Sequence, residues 1–143
     1  LRKQTGRIYF WKYKTDGWIG SEWHLSADDN GFNYLMHVFE RMSCSETGIE
    51  QDVVITPVTQ RILAIPEYDS PVKNVPRLVL KFHPFDSNYY DWSIKDNKSC
   101  LEISFGRAIL EQWRQILNFG DARNTDENII GLNEEHSILV WKN

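Results

Sequence analysis

Cysteine is scarce in this chain. Cys44 and Cys100 are the only two, and neither belongs to a CxxC pair or to an array with metal-ligand spacing. Two buried thiols in a cytoplasmic protein are expected, ahead of a single bridge. Eight glycines and five prolines are too few for a low-complexity or disordered chain. Long apolar runs are missing as well. "RLVLKF" and "SILVW" are far too short to span a bilayer, so no membrane association is expected. "LRKQTGR" leads into an aromatic, strand-like run without the apolar centre of a signal peptide. Catalytic signatures are lacking too: there is no GxxxxGK[ST], no HExxH, no GxSxG and no glycine run at phosphate-loop spacing. No cofactor and no metal are called for.

What is present suits one folded domain of 143 residues. Hydrophobic residues make up 41%, aromatic residues 13% and charged residues 25%, enough apolar surface for a core of that size. The net charge of −4 is unevenly laid out. Residues 1 to 14 carry five basic groups and no acid, whereas residues 16 to 69 set ten acids against Arg41 and Arg61. Residues 121 to 135 add five carboxylates opposed only by Arg123. Such a field works against nucleic-acid binding, which rests on neutralising phosphates, and favours encounter with a basic partner.

The pattern predicts an α+β domain: five to eight mostly antiparallel strands in a twisted sheet, with two principal amphipathic helices on one face. "IYFWKY" places Ile8 and Phe10 on one strand face and Tyr9, Trp11 and Tyr13 on the other. Asp16-Gly17 reads as a hairpin turn into a second strand, with Trp23, Leu25 and Ala27 inward and Glu22, His24 and Ser26 outward. The face bearing Tyr9, Trp11, Tyr13 and His24 is expected to be partly exposed. A helix should start around Asp28 to Asn30, with Ser26, Asp28 and Asp29 as candidate caps and Phe32, Leu35, Met36, Phe39 and Met42 on its apolar stripe, failing near "SCSETG". "DVVITPV" and "RILAI" read as strands limited by Pro57 and Pro66, and residues 68 to 76 as a loop. "RLVLKF" alternates cleanly, and "DWSI" reads as a short strand. "CLEISF" should lead through Gly106 into a helix with Ile109, Leu110, Trp113, Ile116 and Leu117 inward, capped by Gly120. "SILVWK" closes the sheet. Matching Gly31 with Gly106 suggests two strand–glycine–helix units, at about residues 18–42 and 100–120.

Two sets of side chains are candidates for function. Glu22 and His24 share a strand face, and His83 and Asp86 bracket a turn. If their strands are neighbours, His24, Glu22, His83 and Asp86 would form a hydrolytic or metal-binding cluster. The second set is a protein-binding surface. Trp11, Tyr13, Tyr89 and Tyr90 are ring anchors, and Asp28, Asp29, Glu46, Glu50 and Asp52 would steer a basic partner. "RIYFWKYK" interleaves basic and aromatic residues in the manner of a nucleic-acid binder, but sits in an acidic field. The second set is favoured. It points to a small, non-enzymatic, cytoplasmic bacterial protein-binding domain, of the physical type of acidic immunity proteins that occlude a basic toxin. A small His-based enzyme is the alternative. A structural or oligomeric role is a third reading, with an exposed edge near residues 53 to 65 open to a symmetric dimer.

Overall fold

The computed structural model describes residues 3–14, 22–65, 72–85, 92–97, 99–118, 129–131 and 137–142. In chain order they form β1 (Ile8–Tyr13), β2 (Trp23–Ala27), α1 (Asp29–Ser43), β3 (Ile49–Val54), α2 (Gln60–Leu63) and β4 (Val72–Asn74). There follow β5 (Arg77–Phe82), β6 (Ser93–Asn97), β7 (Cys100–Phe105), α3 (Arg107–Asn118), β8 (Ile129–Ile130) and β9 (Ile138–Lys142). The expected α+β class, with two long helices and mostly antiparallel pairing, is observed. Among the described residues nine strands divide between two sheets. Sheet A runs β4-β1-β2-β9-β8 and sheet B runs β3-β5-β7-β6. Two of them are unexpected, the two-residue β8 and the three-residue β4, which falls inside the expected loop. Elements so short exist because a neighbour supplies their ladder, so their own sequence carries no period to read.

Both halves of the chain follow one order. An antiparallel pair (β1/β2 or β6/β7) precedes a long helix, and a second antiparallel pair follows (β3/β5 or β8/β9). Each first pair sits beside the last strand of the other set, so β2 runs parallel to β9 and β7 parallel to β5. Neither half can therefore complete its sheet alone. The strand ends Ala27 and Phe105 set Asp28 opposite Gly106, three residues from the register in which Gly31 and Gly106 coincide.

The strand alternation places its apolar residues as expected. Ile8 and Phe10 of β1, Trp23, Leu25 and Ala27 of β2, Leu78, Leu80 and Phe82 of β5, and Leu101, Ile103 and Phe105 of β7 all enter one core. Both long helices bury their stripes in it, with Phe39 of α1 stacked on Trp113 of α3 at 4.9 Å. In α1 the buried face is Gly31, Tyr34, Leu35, Val38, Phe39 and Met42, whereas Phe32 and Met36 are only half-buried. The stripe is thus rotated slightly from the expected one, so that Tyr34 and Val38 are buried in place of Phe32 and Met36. Arg107, at the start of α3, donates to the carbonyls of Ser43, Ser45 and Pro84. It thereby satisfies open carbonyls beyond α1 and ties both helices to the end of β5.

Two expectations are overturned outside that core. "RILAI" is not a strand: Gln60–Leu63 forms the helical turn α2, capped by the Thr59 hydroxyl, which accepts from Ile62 N–H at 3.3 Å. A short apolar run between two prolines fits either state, and the Thr59 hydroxyl caps the helical turn. The outer face of sheet A is also closed rather than partly exposed. Ile62 with Val58, Leu63, Ile65, Val72 and Trp141 packs over Tyr9, Trp11 and Tyr13. Cys44 is exposed and Cys100 half-buried, both as free thiols, against the expectation that both are buried. The turn at Asp16-Gly17 and the cap at Gly120 lie outside the described residues, as does Asp91 of "DWSI", whose Ser93 and Ile94 begin a longer strand, β6.

Candidate functional site

The histidine set does not assemble as its condition required. His24 lies in β2 of sheet A and His83 follows β5 of sheet B, so their strands are not neighbours. His24 is 1% exposed, His83 is exposed, and Asp86 lies outside the described residues. The His24 ring stacks between Trp11 (5.5 Å) and Trp141 (6.1 Å), with Tyr13 edge-on at 5.0 Å. Trp141 Nε1–H donates to His24 Nδ1 at 3.0 Å, an acceptor role that leaves this nitrogen without a proton. Trp141 thereby fastens β9 to β2, and Ser26 Oγ–H donates to the Trp141 carbonyl at 2.9 Å in the same join.

Glu22, just before β2, takes a hydrogen bond from Ser137 instead of acting on a solvent-facing imidazole. Burial pushes its carboxyl above the ordinary value of 4.5, and the Ser137 bond offsets part of that rise. Its Oε2 is buried without a partner among the described residues. Those residues contain no group of three or more His, Cys, Asp or Glu side chains able to hold a metal ion.

The surface set divides. Trp11 and Tyr13 are 0% and 2% exposed, so neither ring is free to anchor a partner. Their strand face was legible, but the cover over it comes from residues 58 to 65 and from β9, which only the tertiary fold brings there. Asp28 is a cap: its Oδ1 accepts from Gly31 N–H at 2.8 Å and from Arg7 N–H at 2.9 Å. Asp29, Glu46, Glu50 and Asp52 are exposed, and Tyr89 and Tyr90 lie outside the described residues.

Three of these acids lie on the stretch from the end of α1 through β3, and there sheet B differs from sheet A. Glu50, Asp52 and Val54 of β3, Arg77 of β5, and Lys95 and Asn97 of β6 are all exposed. Register sets Glu50 beside Lys81 and Asp52 beside Val79, with Glu102 and Lys95 continuing the second row. Lys81 Nζ bridges Glu102 at 3.0 Å and Glu50 at 3.5 Å, and Arg77 reaches Asp52 at 3.7 Å. The Glu102 hydrogen bond raises the Lys81 ammonium above its usual range, with both carboxylates adding to the effect. The Arg77–Asp52 pair is exposed, and pairs of that kind contribute little.

β3 is also the outer strand of its sheet. At Val54 the Gln4 carboxamide covers that edge: Nε2 donates to the Val54 carbonyl at 2.8 Å, and Oε1 accepts from Val54 N–H at 2.9 Å. Val54 itself is 62% exposed. Further along, Gln51 donates to the Asp52 carbonyl and to Tyr34 Oη, and Arg41 donates to Gln51 Oε1. Lys81, Glu102, Arg77 and Gln4 escape sequence reasoning. The alternation of β5 put Lys81 opposite its core face, but nothing local names the neighbours of β5. Comparison with protein family models, curated proteins and solved structures gives no match.

Proposed function

We propose that the protein binds another protein through the outer face and edge of sheet B, as an acidic, non-enzymatic inhibitor of the immunity type. The observation that carries this reading is the contrast between the two sheets. The outer face of sheet A is closed by the chain itself, while Glu50, Asp52 and Val54 stand exposed on an outer strand, next to exposed Glu46. Acids around an exposed apolar group supply both steering and a small contact area. The partner is a basic protein, and the action is occlusion of the partner's own functional surface. No helix among the described residues is long and apolar enough to cross a membrane.

The test is affinity capture from the native cell with the wild-type chain and with E46Q/E50Q/D52N side by side. The wild type should retain one basic protein in stoichiometric amount, released by moderate salt, and the triple variant should lose it. Recovery of no stoichiometric partner, or equal recovery by the variant, refutes the proposal.

A further inference from the structure

We infer that the open edge of β3 accepts an extended basic segment of the partner as an added strand. This rests on the proposed protein-binding role and specifies how the contact is made. The geometry of Gln4 sets the direction of the edge. Because Val54 N–H and C=O both meet the Gln4 carboxamide, they point away from β5. In an antiparallel pair, alternate residues share that direction, so the backbone groups of Asp52 and Glu50 point outward too. Ile55 N–H, at the opposite parity, donates inward to the Pro76 carbonyl at 3.1 Å, as the same alternation requires. The Asp52 carbonyl is held by Gln51. The Asp52 N–H and both Glu50 groups remain as one open stretch of ladder among the described residues. The chain thus already docks an amide on this edge at one end, and the next positions offer the same donor and acceptor pattern to another chain.

The side chains on either side of the edge define the occupant. On the outer face, Glu50 and Asp52 flank the position of an added strand; Asp52 meets exposed Arg77 at 3.7 Å, and Glu50 meets half-buried Lys81 at 3.5 Å, the longer of the two contacts that Lys81 makes. On the other side stand Gln51 and Arg41, bonded to each other at 3.3 Å. An added strand with Lys or Arg at every second position would meet the two acids on one side and keep its cations away from Arg41 on the other. A second copy of this chain fits poorly, since pairing β3 with itself sets Glu50 and Asp52 against the same acids. The occupant is therefore a strand of alternating basic and uncharged residues, and not a uniformly polybasic stretch.

The experiment titrates the intact protein with a short blocked peptide of alternating Lys and Thr, and with an isomer that carries the same residues in two blocks. Calorimetry reads affinity, and amide NMR reads the Glu50 and Asp52 signals. The alternating peptide should bind saturably, slow the exchange of the Glu50 and Asp52 amides, and bind at least about tenfold more tightly than the block isomer. D52P removes an outward N–H while sparing the ladder to β5, a position where an edge strand tolerates proline. It should lose that binding, and a peptide N-methylated at its bonding amides should lose it on the wild-type protein, which keeps the test valid if D52P misfolds. Equal affinity for the block isomer or the N-methylated peptide overturns strand addition, as does no saturable binding at millimolar peptide. If cellular capture is lost with E46Q/E50Q/D52N but kept with folded D52P, the binding face stands and strand addition fails.

Discussion

Asp28 combines two tasks at one carboxylate. It caps α1 through Gly31 N–H, and through Arg7 N–H it holds the entry of β1 against the same helix end. Gly31 has to be glycine for that approach, because a Cβ there would collide with the Arg7 carbonyl. The cap was legible because cap chemistry is local: a short acid before an apolar stripe serves the open amides wherever the helix docks. Its second bond, to a residue 21 positions away, was not. Asp28→Ala should cost about 1–2 kcal/mol, measured by denaturant titration, as a lost cap and a second lost bond would give. Glu22 carries the opposite sign. Its folded carboxyl titrates above 4.5, so between 4.5 and that raised value the folded state holds more proton than the unfolded state. Stability then falls as pH rises through this window and stays lowered above it. Glu22→Gln should therefore stabilise the protein at neutral pH, and the gain should shrink toward nothing as pH drops below 4.5. Melting curves at a series of pH values check it; a gain independent of pH would contradict the assignment.

At the scale of elements, α2 has the largest consequence for its size. Four helical residues with the flanking 58 to 65 segment close a face that holds Tyr9, Trp11 and Tyr13 of β1. Ile62 is the fully buried member of that cover, at 2% exposure. Ile62→Ala should cost about 2–4 kcal/mol and loosen the packing over Trp11, seen as a red-shifted, more quenchable tryptophan emission. An unchanged spectrum would mean that the cover does not depend on this contact. The strand reading of "RILAI" failed for an intelligible reason. A short apolar run between prolines fits either state, and the choice fell to a hydroxyl at Thr59 and to the surface awaiting cover. His24 belongs to the same lesson. Its strand face was correctly read, but three rings from β1 and β9 turn that face into an interior, where the imidazole serves packing and accepts a hydrogen bond from Trp141.

For the whole molecule, the two thiols measure how far apart the ends of sheet B lie. Arg107 bonds the carbonyls of Ser43 and Ser45, so Cys44 sits near the end of β7 from which α3 starts. Cys100 begins that strand and is separated from its far end by five further residues, about 16 Å of extended chain. That span is well beyond bridging distance. A thiol reagent should titrate two groups, exposed Cys44 quickly and half-buried Cys100 more slowly, and reductant should leave the melting midpoint unchanged. A reductant-dependent midpoint would place the residues closer than this fold allows.

The sequence by itself determined which residues of β1, β2, β5 and α3 face inward, where α1 begins and where it fails, and that the class is α+β with two principal helices. These are properties of period, cap and turn chemistry, and they act over a few residues. Tertiary structure alone decided which strands are neighbours. That choice divided the strands between two sheets, parted His24 from His83, and set Lys81 between Glu50 and Glu102. It also decided which outer face is covered, burying Trp11 and Tyr13 while Glu50, Asp52 and Val54 stay open. Pairing between distant strands is selected by the summed burial of a whole core, and no single segment encodes that sum.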